Sequence, residues 1–439
     1  MVQGPEAQTT PRGPLSGYRV LEFSHIVAIP YCGMHLADLG ADVVKAEPPT
    51  GDALRLLGGF APGESKFFQS LNRGKRGVVI DLQQEAGREL LYRIIPQFDV
   101  FMINGRPGVP KRLGADYDTL RRYRPDLIYL ENTAFGQEGP SALRAGSDVV
   151  AQAYSGLMAG EGKVNEVGAP MSISSTAIAD RTSGLAGAMG VCAALLHRER
   201  TGEGQYIHTS LLASALSVQD GLVSRIPVAD VMVRDPLVER LQAIRAQGQG
   251  YSELTKARGD ITAAIGASAF SIYYGGYEVQ DGAIILGALT PLNRESIRRA
   301  LGITDDDSDS PDYNALNPAN AEKVEALRER VRAIMRTRTM QEWLDVLDAE
   351  GAPASRVNFP EEMSDDPQVG ANQLMVELEH ETIGPERMVG PILTMSVSPL
   401  VARRASPPLG AHTDEVLREL GVDDDELERL RAAGAIRQP

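Results

Sequence analysis

Residues 18–47, YRVLEFSHIVAIPYCGMHLADLGADVVKAE, decide the fold. YRVLEF (18–23) is an apolar run of strand length and predicts a buried strand. SHIVAIP predicts a loop, YCGMHLADLG a helix closed by Gly40, and ADVVKAE a second strand. Together they form a β–α–β unit. The alternation continues with GVVIDL (77–82), DVFMIN (99–104) and DLIYLENTAF as strands. Between them, QEAGRELLYRIIPQ and YDTLRRYR predict helices. A long helix follows from about Asp180 to Arg200, and GQYIHTSLLASALSVQDGL adds a strand and another helix. Strands alternating with helices predict a parallel sheet covered on both faces, a Rossmann-like α/β domain.

Beyond residue 226 the pattern loosens. DPLVERLQAIRAQGQG predicts a helix, followed by polar sequence to Gly266. YYGGYEVQDGAIILGAL predicts a β-hairpin turning at Asp281-Gly282. Helices are expected at 293–301 and 320–335, and another in TMQEWLDVLDAEGAPASRV, capped by Gly351. Extended segments near 373–395 precede a helix in PLGAHTDEVLRELGV. The expected layout is a flexible leader (1–14), a large domain (15–225), a linker (226–265), a smaller α+β domain (266–358) and a C-terminal segment (359–439).

The composition narrows the function. The 439 residues carry a net charge of −15, which argues against a nucleic-acid partner. The polar, Pro/Gly-rich N-terminus has no apolar core of a signal peptide, and no apolar run reaches membrane-spanning length. The only two cysteines, Cys32 and Cys192, sit in apolar helical patterns and suit a reducing compartment, so a cytoplasmic location is expected. None of the six histidines stands in a metal-ligand spacing, and no metal site is expected.

The first β–α–β unit invites a nicotinamide-cofactor reading, with Glu47 placed to bind a ribose. The absence of glycine from SHIVAIP opposes it, because the backbone cannot then approach a pyrophosphate closely. His25 lies in that loop, at the sheet edge where α/β proteins bind ligands, whereas His35 on the first helix reads as structural. Basic residues cluster in NRGKRG (72–77) and GRPGVPKRLG (105–114), either as ordinary surface charge or as a cradle for a phosphorylated ligand. Asp180 stands alone at the start of a Gly/Ala-rich helix that reads as fully buried. It is either an ordinary acid stabilised by the helix dipole, or a nucleophile that the dipole keeps ionised.

These blocks resemble the class III CoA-transferases, a family that includes formyl-CoA and carnitine CoA-transferases and α-methylacyl-CoA racemase. The resemblance runs through YRVLEFSHIVAIPYCGMHLADLGADVVKAEPP, SLNRGKRGVVIDL, INGRPGVPKRLG, AGSDVVAQAYSGLMAGEG, AIADRTSGLAGAMGVCAALLHRERTGEGQYIHTSLL and PPLGAHTDEVLRELG. It implies a large Rossmann-like domain and a smaller domain, with the C-terminal segment returning to the large one. It also implies an interlocked homodimer with active sites between domains of different subunits.

The resemblance makes Asp180 the acyl-carrying nucleophile. It places coenzyme A along His25, Ile26, Val27 and Ala28, then Asn104, Gly105, Arg112 and Leu113. The implied function is transfer of CoA from an acyl-CoA to a free carboxylic acid, with acyl-CoA as substrate and no metal. Two other readings are an acyl-CoA racemase or epimerase of the same fold, and a non-catalytic acyl-CoA-binding protein. Ser147, where the racemases carry histidine, opposes the first. Gly275-Gly276 is a poor substitute for the four-glycine loop of the formyl-CoA enzyme, and Gly105 departs from the usual adenine-pocket residue.

Overall fold

Apolar runs that alternate between two faces build the main sheet. The computed structural model describes residues 13–266, 270–310 and 318–437, so residues 1–12 of the expected leader lie outside the described residues. Strand β1 (Arg19–Phe23) leads into helix α1 (Ala28–Asp38) and β2 (Asp42–Glu47). Helix α2 (Lys66–Asn72), β3 (Arg76–Ile80), α3 (Glu85–Ile94) and β4 (Val100–Asn104) follow. Then come β5 (Ile128–Thr133), α4 (Asp148–Ser155), α5 (Ile178–Thr201), β6 (Tyr206–Ser210) and α6 (Leu211–Ser217). The parallel order is β3-β2-β1-β4-β5-β6, and it reverses direction of growth between β1 and β4. That switch point opens a crevice at the C-terminal ends of the strands.

Both faces of the sheet are covered. Val20, Val43, Val100 and Ile128 pack with Ile29, Leu36 and Val191 on one face. Leu21, Val44, Phe101 and Tyr129 pack on the other with Leu91, Ile94, Val416 and Leu417. The last two belong to α12 (Thr413–Glu419), one of the elements labelled below in chain order.

The chain folds as two compact units. The first runs to Lys163 and also takes in Met171–Ser224 and the chain from Ser364. The second combines Val164–Pro170 with Arg225–Met363. It contains α7 (Arg234–Ala246), α8 (Tyr251–Gly266), the hairpin β7 (Tyr274–Val279) and β8 (Gly282–Gly287), and α9 (Pro291–Leu301). Helices α10 (Pro318–Met335) and α11 (Met340–Ala349) and strand β9 (Ala354–Arg356) complete it. The stretch that reads as a polar linker is therefore largely helical, and Ala257 of α8 is fully buried. Gly275 and Gly276 lie in β7, paired with Leu286 and Ile285 of β8, and form no glycine loop.

In the first unit the C-terminal segment adds the hairpin β10 (Met375–His380) and β11 (Gly384–Val389), then α12, α13 (Asp424–Ala432) and β12 (Ile436–Arg437). Strand β12 pairs antiparallel with β3 and closes that edge of the main sheet.

Helix α5 packs closely on α1. A Cβ on Gly184 would lie 2.6 Å from the Ala28 carbonyl oxygen, so only glycine permits this approach. The helix is not buried all round, however. Leu185, Met189 and Leu196 are exposed, Met189 at 70%, because its apolar residues do not keep to one stripe.

The basic run NRGKRG serves the interior. Arg73 pairs with Asp38 at 2.5 Å, and Arg76 pairs with Asp42 and Glu419 at 2.7 Å. Lys75 reaches Glu22 at 2.9 Å, and the same glutamate takes Lys45 at 3.3 Å. Lys45 in turn meets Asp52 at 3.1 Å. All four of these last side chains are fully buried, and their formal charges cancel. Such a cluster is intolerant of losing one member, because the remaining charges cannot return to water. Glu22→Gln should therefore lower stability by about 3–5 kcal/mol. Urea unfolding checks this; a loss below about 1 kcal/mol would contradict the charge balance described.

Candidate active site

The crevice holds two adjoining cavities, of about 410 and about 380 Å³. His25, Asn104 and Val109 line both, so they form one groove along the strand ends. Asp180 lies in the wall of the first cavity with Ile26, Gly105, Arg106, Asn132 and Ser147. Phe23, Asp52, Ala53, Leu82 and Leu113 line the second.

The loop after β1 is fixed by specific bonds. Its His25 N–H donates to Asn104 Oδ1 at 3.0 Å, and Asn104 Nδ2 donates to the His25 carbonyl at 2.9 Å. Ile26 takes φ +68°, a region that β-branched residues rarely enter. Its N–H donates to both carboxylate oxygens of Asp52, at 3.1 and 3.2 Å. The Lys45 charge and backbone N–H donors hold the Asp52 pKa down against burial. His25 keeps an exposed side chain, yet desolvation by the surrounding groove lowers its pKa, so it is neutral at neutral pH.

Asp180 sits in the first turn of α5 and is 9% exposed. The Ala179 and Asp180 N–H groups donate to Asp148 Oδ1 at 2.7 and 3.1 Å. Asp148, the first residue of α4, thereby caps α5 from another helix. Its second oxygen accepts from Gln152 Nε2 at 2.6 Å. Burial and the Asp148 charge push the Asp180 pKa up to about 7, while Arg181 and a hydrogen bond from the Ala28 N–H oppose the rise. The helix end alone would keep Asp180 fully ionised. Desolvation and a second carboxylate outweigh it.

The anticipated ligand-binding residues divide. His25, Ile26, Asn104, Gly105 and Leu113 line the groove. Val27 packs against Leu54, Phe68 and Leu71, and Ala28 is buried, its N–H being the part that reaches the site. Arg112 is exposed on the one-turn helix Val109–Arg112 and lines neither cavity. Arg106 lines the first instead. Glu47, considered for ribose binding, is fully buried and holds Arg55 through bonds of 2.7 and 2.8 Å.

Sequence reasoning gives no role to Asp52, Asn132, Asp148 or Ser183. Asn132 Nδ2 donates to Ser183 Oγ beneath the groove. Asn104 and Asn132 are register partners at the ends of β4 and β5, a position that strand-end asparagines in the sequence could have signalled. Among the described residues no group of His, Cys, Asp and Glu has metal-binding geometry.

Comparison with known proteins places this geometry in a family. Residues 15–413 match the model of CoA-transferase family III. The chain is 35% identical over 421 residues to a succinate–glutarate CoA-transferase of Agrobacterium fabrum, covering 93% of this chain and 96% of that one. It is 32% identical over 442 residues to the succinyl-CoA–L-malate CoA-transferase beta subunit of Chloroflexus aurantiacus, covering 98% and 99%. Among solved structures, Rv3272 from M. tuberculosis matches with a TM-score of 0.72 at 26% identity, over 92% of this chain and 99% of that one. A CAIB/BAIF family protein from Brucella suis matches with a TM-score of 0.68 at 28% identity, over 93% and 100%. The chain belongs to CoA-transferase family III and is an enzyme of that class.

The charge environment of Asp180 is directly measurable. Carbon NMR of aspartate-labelled protein, with Asp180→Asn to assign the signal, should give a titration near pH 7. Asp148→Asn removes a neighbouring negative charge, which favours the ionised form, so the titration should move to lower pH. An Asp180 signal titrating in the usual carboxylate range in the unaltered protein would contradict this environment.

Proposed function

We propose that this CoA-transferase moves CoA from succinyl-CoA to a short dicarboxylic acid through covalent intermediates on Asp180. One observation carries the mechanism: the Asp180 carboxylate forms part of the groove wall at the sheet's C-terminal edge, where the Ala28 N–H favours its ionised form. The substrate classes are supported by relatives named for succinyl-CoA with L-malate, glutarate or mesaconate.

In this reading CoA lies along the loop at His25, Ile26, Val27 and Ala28, against Asn104 and Gly105. Leu113 borders the second cavity, and the exposed Arg112 meets a phosphate at its mouth. Arg106 adds positive charge inside the groove.

The ionised Asp180 attacks the thioester carbonyl of the donor and expels CoA thiolate, giving a mixed anhydride. The thiolate then attacks the Asp180 acyl carbon and releases the donor's acid as a carboxylate. An aspartyl-CoA thioester remains. The acceptor carboxylate attacks that thioester, expels the thiolate again and forms a second anhydride. Attack of thiolate on the acceptor's carbonyl completes the new acyl-CoA and frees Asp180. Bonds and charges balance with no added proton donor or metal. Two exchanges of an activated acyl group replace one direct displacement. The Ala28 N–H is a candidate donor to oxyanions that form beside Asp180.

Ser147 disfavours the racemase. Ser147, at the N-cap of α4, lines the cavity where that activity needs a second acid/base, and a hydroxyl has no comparable proton affinity. A purely binding role leaves the placement of Asp180 without a function. Asp180→Ala should lower transfer by about 10³-fold or more while folding is retained. Because the ionised form attacks, kcat/KM should fall as pH drops below about 7. Near-normal transfer by the folded variant would overturn the proposal.

The active form proposed is an interlocked homodimer in the cytoplasm. Exposed apolar residues support a second copy: Met189 on α5, and Val228, Met232, Leu393 and Val397 elsewhere. Sedimentation on dilution should show one dimeric species until unfolding. A folded monomer would contradict the interlocking.

A further inference from the structure

The first cavity of the groove, of about 410 Å³, pairs one acid with one base. Among the described residues that line it, Asp180 is the only carboxylate and Arg106 the only permanent cation. Arg106 is exposed, and among the described residues its guanidinium forms no ion pair and no hydrogen bond.

The other polar side chains of this wall are largely committed elsewhere. Asn104 gives both its oxygen and its amide to the His25 backbone. Asn132 Nδ2 donates to Ser183 Oγ. Thr133 Oγ1 accepts from the Gly136 N–H at 3.0 Å and meets His208 Nε2 at 3.1 Å. The Ser147 hydroxyl caps no helix end, but it is neutral. An anion entering this cavity therefore finds its charged partner in Arg106, whose planar fork holds a carboxylate through two parallel bonds.

The second cavity offers no such partner. Asp52 and Asp81 line it, and among the described residues no lysine or arginine does. A thioester reacting at Asp180 extends in two directions. In the reading given above, its CoA arm follows the groove into the second cavity. The acyl chain then stays in the first cavity, the one that contains both Asp180 and Arg106. We infer that Arg106 is the residue that selects dicarboxylic acids: its guanidinium takes the free carboxylate of a short acid whose other carboxyl group reacts at Asp180. The inference rests on Asp180 being the acyl carrier. Acylation neutralises Asp180, and the substrate's free carboxylate is then the counter-charge to Arg106. A monocarboxylic acid of the same length brings a methyl group instead, which displaces water from the guanidinium and returns no bond.

The test is calorimetric binding of glutarate and pentanoate to the CoA-loaded enzyme, where no turnover occurs. The two acids have the same number of carbons and differ by one carboxylate. The unaltered enzyme should bind glutarate at least about tenfold more tightly than pentanoate. Arg106→Gln should remove that preference, and Arg106→Glu should reverse it. Equal or undetectable binding of the two acids, or a preference that survives Arg106→Gln, would overturn the inference. A loss of CoA affinity in Arg106→Gln as large as the loss of glutarate affinity would assign Arg106 to a CoA phosphate and overturn it as well. A glutarate preference lost in Arg106→Gln, alongside an active Asp180→Ala enzyme, would uphold the carboxylate contact and remove only the nucleophile assignment.

Discussion

Four buried charges fix the reactive edge of this sheet. Glu22 on β1 takes Lys45 from β2 and Lys75 from the approach to β3, and Lys45 also takes Asp52. Glu22 and Lys45 are direct register partners, so strand pairing itself brings the charges together. Asp52 then accepts the Ile26 N–H and holds that residue at a φ it would otherwise avoid. From there the chain enters α1, with the Ala28 N–H directed to Asp180. A salt cluster of this kind contributes little net stability over an apolar core, and its use is in fixing one geometry.

Helix α5 brings Asp180 to that edge at an electrostatic cost. Its glycines let it approach α1 so closely that Asp180 is largely removed from water. Asp148 completes the helix end but places a second carboxylate nearby. With its pKa raised to about 7, Asp180 is only partly ionised at neutral pH. A desolvated carboxylate near that midpoint combines a usable ionised fraction with higher basicity than an exposed aspartate.

The strand order is legible in the sequence because every central strand is an apolar run ended by a turn signal. His25 and Asn104 are legible for a related reason, since each stands at the C-terminal end of such a strand, and Asp180 is legible as a lone acid at the start of a long helix. What the sequence hides depends on contacts between distant segments. NRGKRG reads as a surface patch, yet its partners Asp38, Asp42, Glu22 and Glu419 lie on other elements. The role of Asp148 needs α4 set against α5, and α4 has too short a pattern to announce itself. The stretch 251–266 lacks a clear apolar stripe and reads as a linker, although it is helical. Helix α5 reads as buried all round because its small residues are apolar on every side, yet one face of it is exposed.

The central claim is that the transferred group passes through a bond to Asp180. The most direct measurement mixes the enzyme with succinyl-CoA in the absence of an acceptor acid, quenches rapidly, and maps the adduct by peptide mass spectrometry. The account predicts an aspartyl-CoA thioester on the peptide carrying Asp180, lost when a dicarboxylic acid is added before the quench. An enzyme that transfers CoA at full rate with no adduct at Asp180, or with the adduct on another residue, would contradict it.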